Sequence, residues 1–190
     1  MRLGILGGTF DPIHLGHLVL GEAAREQLGL DSVLFVPAGV QWRKSSQEIA
    51  PAEHRVAMVR LATEDNPAFE VSTLEVDRPG PSYTADTLEA LQQERRGSDL
   101  FLILGHDAYL DVPNWVRPER IVELARVVVA ARGDQTHGTD VEPPAVRVEM
   151  PVVDISATDI RERVAAGRSI RYLVPAPVEA YIREHGLYRR

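Results

Sequence analysis

Gly7-Gly8-Thr9-Phe10-Asp11-Pro12-Ile13-His14-Leu15-Gly16-His17 is the stretch on which the reading of this chain turns. The apolar run before it, Arg2-Leu3-Gly4-Ile5-Leu6, predicts a short buried strand bounded by the glycine pair. The residues after it, Leu15 to Leu28, predict an amphipathic helix with Leu15, Leu18, Val19, Ala23 and Leu28 as apolar positions. Strand, glycine turn and helix start together set free backbone N–H groups and the positive end of a helix beside the turn, which suits a phosphate. His14 and His17 lie three apart at the helix start, so both can face one anion.

Other glycine turns fit less well. A dinucleotide fingerprint needs G-x-G-x-x-G, and Gly4, Gly7 and Gly8 have the wrong spacing. The ATPase phosphate loop needs a Gly-Lys-Ser/Thr ending, which is absent here. A His-x-x-His pair also suits a metal or a helix cap, but Asp11 is the only nearby carboxylate spaced as a third ligand. Gly-Gly-Thr ahead of the histidines favours phosphate.

With 190 residues the chain predicts one α/β domain spanning 1–190. A net charge of -7 argues against a nucleic-acid surface, because phosphate backbones demand basic faces. The absence of cysteine excludes a disulfide framework, a thiolate zinc site and a cysteine nucleophile. No apolar run is long enough to span a bilayer and no signal segment precedes the first strand, so a cytoplasmic protein without membrane partners is expected. Monomer and homo-oligomer stay equally open.

Further strands are expected at Ser32–Val36, Phe69–Val71, Leu100–Leu104 and Val127–Ala131, and helices at Ala52–Thr63, Tyr83–Arg95 and Glu119–Leu124. Residues Gly133 to Pro144 read as a loop. Nearly all-apolar strands alternating with helices predict a doubly wound, mostly parallel sheet with helices on both faces. Ligands of such sheets sit outside the carboxyl ends of the strands, at a switch in strand order. Polar residues gather there: Gly7 to His17, Pro37 to Lys44, Gly105-His106-Asp107 and Arg132.

A second string, Ile155-Ser156-Ala157-Thr158-Asp159-Ile160-Arg161, opens a C-terminal helical part of about residues 156–190. Ser156 suits a helix N-cap with Asp159 as the capping-box acid. Arg161, one turn inside, is either a surface arginine or a fork for phosphate oxygens. Trp115 is either a rim aromatic of the core or a flat face for a cationic ring. Asp107 suits either a helix cap or a ribose hydroxyl.

The first string resembles the signature of the HxGH nucleotidyltransferases, and Ile155 to Arg161 looks like their ISSTxxR motif, with Ala157 at the second serine. Pro81-Ser82-Tyr83-Thr84, Gly105-x-Asp107, Trp115, Tyr172-Leu173-Val174-Pro175 and the ending through Tyr188 are similar to one branch, the bacterial nicotinate mononucleotide adenylyltransferases. The resemblance runs from Arg2 to Tyr188 and implies a Rossmann-like fold. It implies transfer of AMP from ATP to nicotinate mononucleotide, with Mg²⁺ arriving on ATP and no dedicated metal cage. His14, His17, Lys44 and Arg161 are then the catalytic groups, the imidazoles protonated beside phosphate. Gly7, Gly8, Thr9, Phe10, His14, His17, Gly105, Asp107, Ile155, Ser156, Thr158 and Arg161 would receive ATP. Lys44, Arg43, Thr84, Ala85, Trp115, Val116 and Arg132 would receive nicotinate mononucleotide. Two departures stand out: Gln41-Trp42-Arg43-Lys44 replaces the usual Pro-Pro-His-Lys, and Arg132-Gly133 lacks the proline of Arg-Pro-Gly.

Overall fold

Six parallel strands lie in the order β3-β2-β1-β4-β5-β6 in the computed structural model, which describes residues 1–39, 49–132 and 143–189. The strands are β1 (Arg2–Gly8), β2 (Ser32–Pro37), β3 (Phe69–Val71), β4 (Asp99–Leu104), β5 (Ala125–Arg132) and β6 (Ala145–Met150). The helices are α1 (Leu15–Leu28), α2 (Ala52–Thr63), α3 (Leu74–Asp77), α4 (Thr84–Glu94), α5 (His106–Asp111), α6 (Pro118–Leu124), α7 (Ala157–Ala165) and α8 (Ala176–Glu184). The expected doubly wound α/β sheet is present. Its strand order reverses direction at the β1/β4 pair, so the crevice lies beyond Gly8 and Leu104.

Strand alternation divides the apolar residues into two cores. Val33, Phe35, Phe101, Ile103 and Val128 face α1, α2, α7 and α8. Leu3, Ile5, Leu34, Leu100, Leu102 and Val127 face α4, α5 and α6. Ile160, Ile170, Val174, Val178 and Ile182 of the C-terminal part are buried in the first core. Gly4 sits where that core is tightest: a Cβ there would come within 2.9 Å of both Ile103 Cδ1 and Leu30 Cδ1.

One expectation is corrected, and two elements, β6 and α3, were not expected. The buried residues of α1 are Leu20, Gly21 and Ala24, while Leu18, Ala23 and Leu28 only pack against the rim. Gly21 lets the Phe35 and Phe69 rings come up against the helix, within 3.2–3.3 Å of where a Cβ would be. The strand β6 is an edge strand with only Val148 buried, and Arg147 and Glu149 interrupt its apolar residues. The Gln27 side chain bonds both the Glu149 carbonyl, at 2.6 Å, and the Glu149 amide, at 3.0 Å, tying α1 to that edge. The short α3 also carries too little periodicity to read. Residues 133–142 of the expected loop lie outside the described residues.

Candidate active site

The turn after β1 is built around a buried aromatic. Phe10 has φ 50°, in the left-handed region, and is 2% exposed. A Cβ at Gly8 would stand 3.0 Å from the Phe10 ring, so glycine is needed there for the ring to tuck under the strand. Any contact from Phe10 to a ligand therefore comes from its backbone. A Cβ at Gly7 or Gly105 would meet nothing within 4 Å, so the ends of β1 and β4 are open side by side.

Phe10 supports the histidines. The His17 ring meets it edge-on at 5.1 Å and stacks on His14 at 3.7 Å. His14 is the N-cap of α1, and its backbone N–H donates to His17 Nδ1 at 3.2 Å. Gly16 permits the stack, since a Cβ there would lie 3.1 Å from the His14 ring. Burial, and secondarily the His14 ring, hold the His17 imidazole well below the usual histidine value. Because Nδ1 accepts from a backbone amide, the ring proton belongs on Nε2. Protonating Nδ1 as well would set two donors against each other. Without a phosphate beside it, burial and the Nδ1 bond favour a neutral His17 ring that donates through Nε2; the expected imidazolium concerned the ring beside phosphate.

The helix start is also less open than expected. The Leu15 amide donates to the Leu173 carbonyl at 3.0 Å and the His17 amide to the His14 carbonyl at 3.0 Å. Two of the N–H groups expected to be free are therefore occupied within the fold.

The two distant strings meet at Asp11. Arg161 NH1 donates to the Asp11 carbonyl at 2.8 Å and lies 3.9 Å from its carboxylate, while NH2 donates to Thr158 Oγ1 at 3.2 Å. Ser156 caps α7, its Oγ accepting from the Asp159 amide at 3.0 Å, as the spacing predicts. The Asp11 carboxylate is 3% exposed and accepts from the Tyr188 hydroxyl at 2.7 Å and the Ala50 amide at 3.2 Å. Arg55, 4% exposed, donates to the Thr9 carbonyl at 2.8 Å and the Ala50 carbonyl at 3.0 Å. Burial lowers the Arg55 pKa, opposed by the charge of Asp11. Burial, with Asp11 beside it, raises the Tyr188 phenol far above its usual value. A cavity of about 560 Å³ opens beside Arg161, Ala50 and Tyr188.

On the other side of the crevice Gly105 is the N-cap of α5, and Asp107 is its second residue and exposed, so of the two alternatives for Asp107 the cap is not the one present. Thr84 and Ala85 are the first two residues of α4, with amides that have no acceptor inside the helix. Trp115 is half-buried on the second core, with Nε1 donating to Asp111 Oδ2 at 3.0 Å. Arg117 joins that loop to α4 through Asp86 and, at 3.3 Å, Glu89. Val116 and the start of α4 are thereby held together. Arg132 ends β5, while Arg43 and Lys44 lie outside the described residues.

Sequence reasoning missed the contacts of Arg55, Tyr188 and Arg117 in this region. One signal was available: Arg55 interrupts the apolar face of α2, between Pro51 and Val56. Among the described residues no group of three or more His, Cys, Asp or Glu is placed to hold a metal, and no helix is long and apolar enough to cross a membrane.

A glycine turn, a histidine pair and an arginine gathered at the switch point of a 3-2-1-4-5-6 sheet define an α/β nucleotide-binding protein. The chain matches the cytidylyltransferase-like family over residues 5–163. A Roseiflexus protein named as a probable nicotinate-nucleotide adenylyltransferase is 51% identical over 199 residues, covering 98% of each chain. A Thermus thermophilus protein of the same name is 50% identical over 190 residues, covering 100% of each. Among solved structures, Plasmodium falciparum nicotinic acid mononucleotide adenylyltransferase complexed with NaAD has a TM-score of 0.83 at 18% identity, over 98% of this chain and 97% of that one. Its complex with APC gives 0.82 at 18% identity, over 98% and 96%. At that identity the likeness is one of fold. The chain belongs to the cytidylyltransferase-like family and, within it, to the nicotinate-nucleotide adenylyltransferases.

Proposed function

We propose that this protein joins ATP to nicotinate mononucleotide, releasing pyrophosphate and giving nicotinate adenine dinucleotide, a step of NAD biosynthesis in the cytoplasm. The observation that carries this reading is the bond from Arg161 to the Asp11 carbonyl, which gathers both strings at one point. The full-length relatives supply the acceptor. Residues 1–190 work as one nucleotidyltransferase domain, closed on the ATP side by the segment from 156 onward.

In this reading ATP lies along Gly7, Gly8, Thr9 and Phe10, its phosphates on His14, His17 and Arg161. Gly105 and Asp107 take the ribose, and Ile155, Ser156 and Thr158 flank the nucleotide. The acceptor places its carboxylate on the Thr84, Ala85 and Val116 amides and its ring on Trp115, with Lys44, Arg43 and Arg132 toward its phosphate.

An oxygen of the acceptor phosphate attacks the α-phosphorus of ATP. The new P–O bond forms as the bond to the bridging oxygen breaks, and the electron pair leaves with pyrophosphate. A phosphate monoester is already anionic at neutral pH, so no general base is required. What remains is alignment and stabilisation of charge. His17 supplies its Nε2–H, and Arg161 supplies a guanidinium held by Asp11 and Thr158. Mg²⁺ enters with ATP as part of the substrate and draws charge from the outer phosphates.

The test incubates purified protein with ATP, Mg²⁺ and, in turn, nicotinate mononucleotide, nicotinamide mononucleotide, phosphopantetheine and glycerol phosphate, and measures pyrophosphate. Release with nicotinate mononucleotide above the non-pyridine acceptors is expected. No release with either pyridine mononucleotide overturns the reading.

A further inference from the structure

A second buried carboxylate, Glu75 of α3, lies under the start of α4 and has no part in the chemistry described above. Thr87 Oγ1 donates to Glu75 Oε1 at 2.8 Å, and the Ser82 side chain also hydrogen-bonds it. The Gly39 amide, just beyond β2, donates to Ser82 Oγ at 3.2 Å, and the Gly39 backbone bonds Glu75. The packing at Gly39 is too close for any side chain: a Cβ would lie 2.2 Å from the Glu75 carbonyl oxygen and 2.8 Å from Ser82 Oγ. Three segments therefore converge on one carboxylate: the chain leaving β2, the turn of α3, and the first turn of α4.

The position of the two hydroxyls matters. Ser82 and Thr87 bracket Thr84 and Ala85, whose amides point out of the helix start. Thr87 has one proton and two acceptors within reach, Glu75 at 2.8 Å and the Tyr83 carbonyl at 3.3 Å. The shorter bond goes to Glu75. Arg78 NH1 approaches Thr87 Oγ1 at 3.4 Å from the same side. A carboxylate this enclosed is expensive to bury unless its oxygens are bonded. Burial pushes the Glu75 carboxyl above its usual range, against the Thr87 and Ser82 bonds and the Arg78 charge. A neutral side chain would span the same gap without that cost, so bulk filling does not explain the choice of residue.

We infer that Glu75 is a positioning residue for the acceptor: through Ser82 and Thr87 it sets the direction of the Thr84 and Ala85 amides. This rests on the proposed function for the identity of the acceptor. Glu75 touches neither substrate. Its effect falls on the mononucleotide and spares ATP, whose proposed contacts lie on or beside β1, α1, α5 and α7, none of which supplies a bond to Glu75.

The test is a steady-state comparison of wild type, Glu75→Gln, Thr87→Val and Thr87→Ser, varying ATP and nicotinate mononucleotide separately, with thermal melting of each. Glu75→Gln and Thr87→Val are expected to raise the KM for nicotinate mononucleotide about tenfold, a loss of orientation, with the KM for ATP unchanged. Thr87→Ser, which keeps the hydroxyl, restores the wild-type value. The double variant Glu75→Gln/Thr87→Val is expected to be no worse than either single change. An unchanged acceptor KM in soluble, folded Glu75→Gln overturns the inference, as do equal rises in both KM values or a Thr87→Ser protein as impaired as Thr87→Val. If Glu75→Gln does not fold, the Thr87 pair decides. Wild-type protein inactive on nicotinate mononucleotide would instead sink the proposed function, so the two failures are distinct.

Discussion

Asp11 and Glu75 are both buried carboxylates at the carboxyl ends of the strands, and their surroundings are opposite. Asp11 lies among Arg161, Arg55, the Tyr188 hydroxyl and the Ala50 amide. Glu75 is bonded by Thr87 and Ser82, with Arg78 as its cationic neighbour. The difference matches what each wall is proposed to meet. A triphosphate demands cations, and cations buried beside one another need a compensating charge before the ligand arrives. Asp11 supplies it while leaving Arg161 bonded mainly to a backbone carbonyl. A single carboxylate on the acceptor demands oriented amides more than charge, and the hydroxyls of Ser82 and Thr87, anchored to Glu75, are placed to orient them.

The strongest way to break this contrast is Asp11→Ala. It leaves Arg55 enclosed without its counter-charge, and we expect a loss of about 3–5 kcal/mol of stability in urea unfolding. A loss below 1 kcal/mol would mean that Asp11 does not neutralise the arginines. Next is Arg161→Ala, for which kcat falls about a hundredfold or more while the melting temperature changes little, as for loss of one donor to a transition state. An equal effect of Glu75→Gln on kcat would erase the distinction between the walls. Tyr188→Phe removes one hydroxyl from a charged acceptor and should cost about 1.5–3 kcal/mol, read by the same unfolding measurement.

Acidity separates the walls further. The His17 pKa is depressed in the folded state, so its contribution to stability is complete above about 6.5, the unfolded value, and is lost as pH falls through the depressed value. The Glu75 pKa is raised, so its contribution is present below about 4.5 and is lost as pH rises through the elevated value. Glu75→Gln should therefore gain on wild type as pH rises from about 4.5, seen as a growing difference in melting temperature. Imidazole NMR at pH 6 should find His17 neutral with its proton on Nε2. A doubly protonated ring would contradict the bond from the His14 amide.

Much of this frame was legible because local signals agree with one another. The bounds of α1, α2 and β3 follow directly from the apolar pattern, with Pro51 preceding α2 and Gly29, at φ 57°, closing α1. The Ser156 cap followed from spacing alone. The edge strand β6 was hidden because Arg147 and Glu149 break up the continuous apolar run that marks β4. The convergence of Arg161 on the first turn was legible only through the resemblance. No local pattern signals a hydroxyl 177 residues downstream, and so Tyr188 was quoted without its partner. The neutral state of His17 was equally hidden, since it depends on Phe10 and His14 enclosing the ring.

The carbonyl of Leu173 that receives the Leu15 amide sets an order of events during synthesis. The N-terminal turn leaves the ribosome first, yet its Leu15 amide and Asp11 carboxylate meet Leu173 and Tyr188 only when the chain is almost finished. A stalled or clipped nascent chain would then carry the whole glycine–histidine string without the two bonds that fix it in this arrangement.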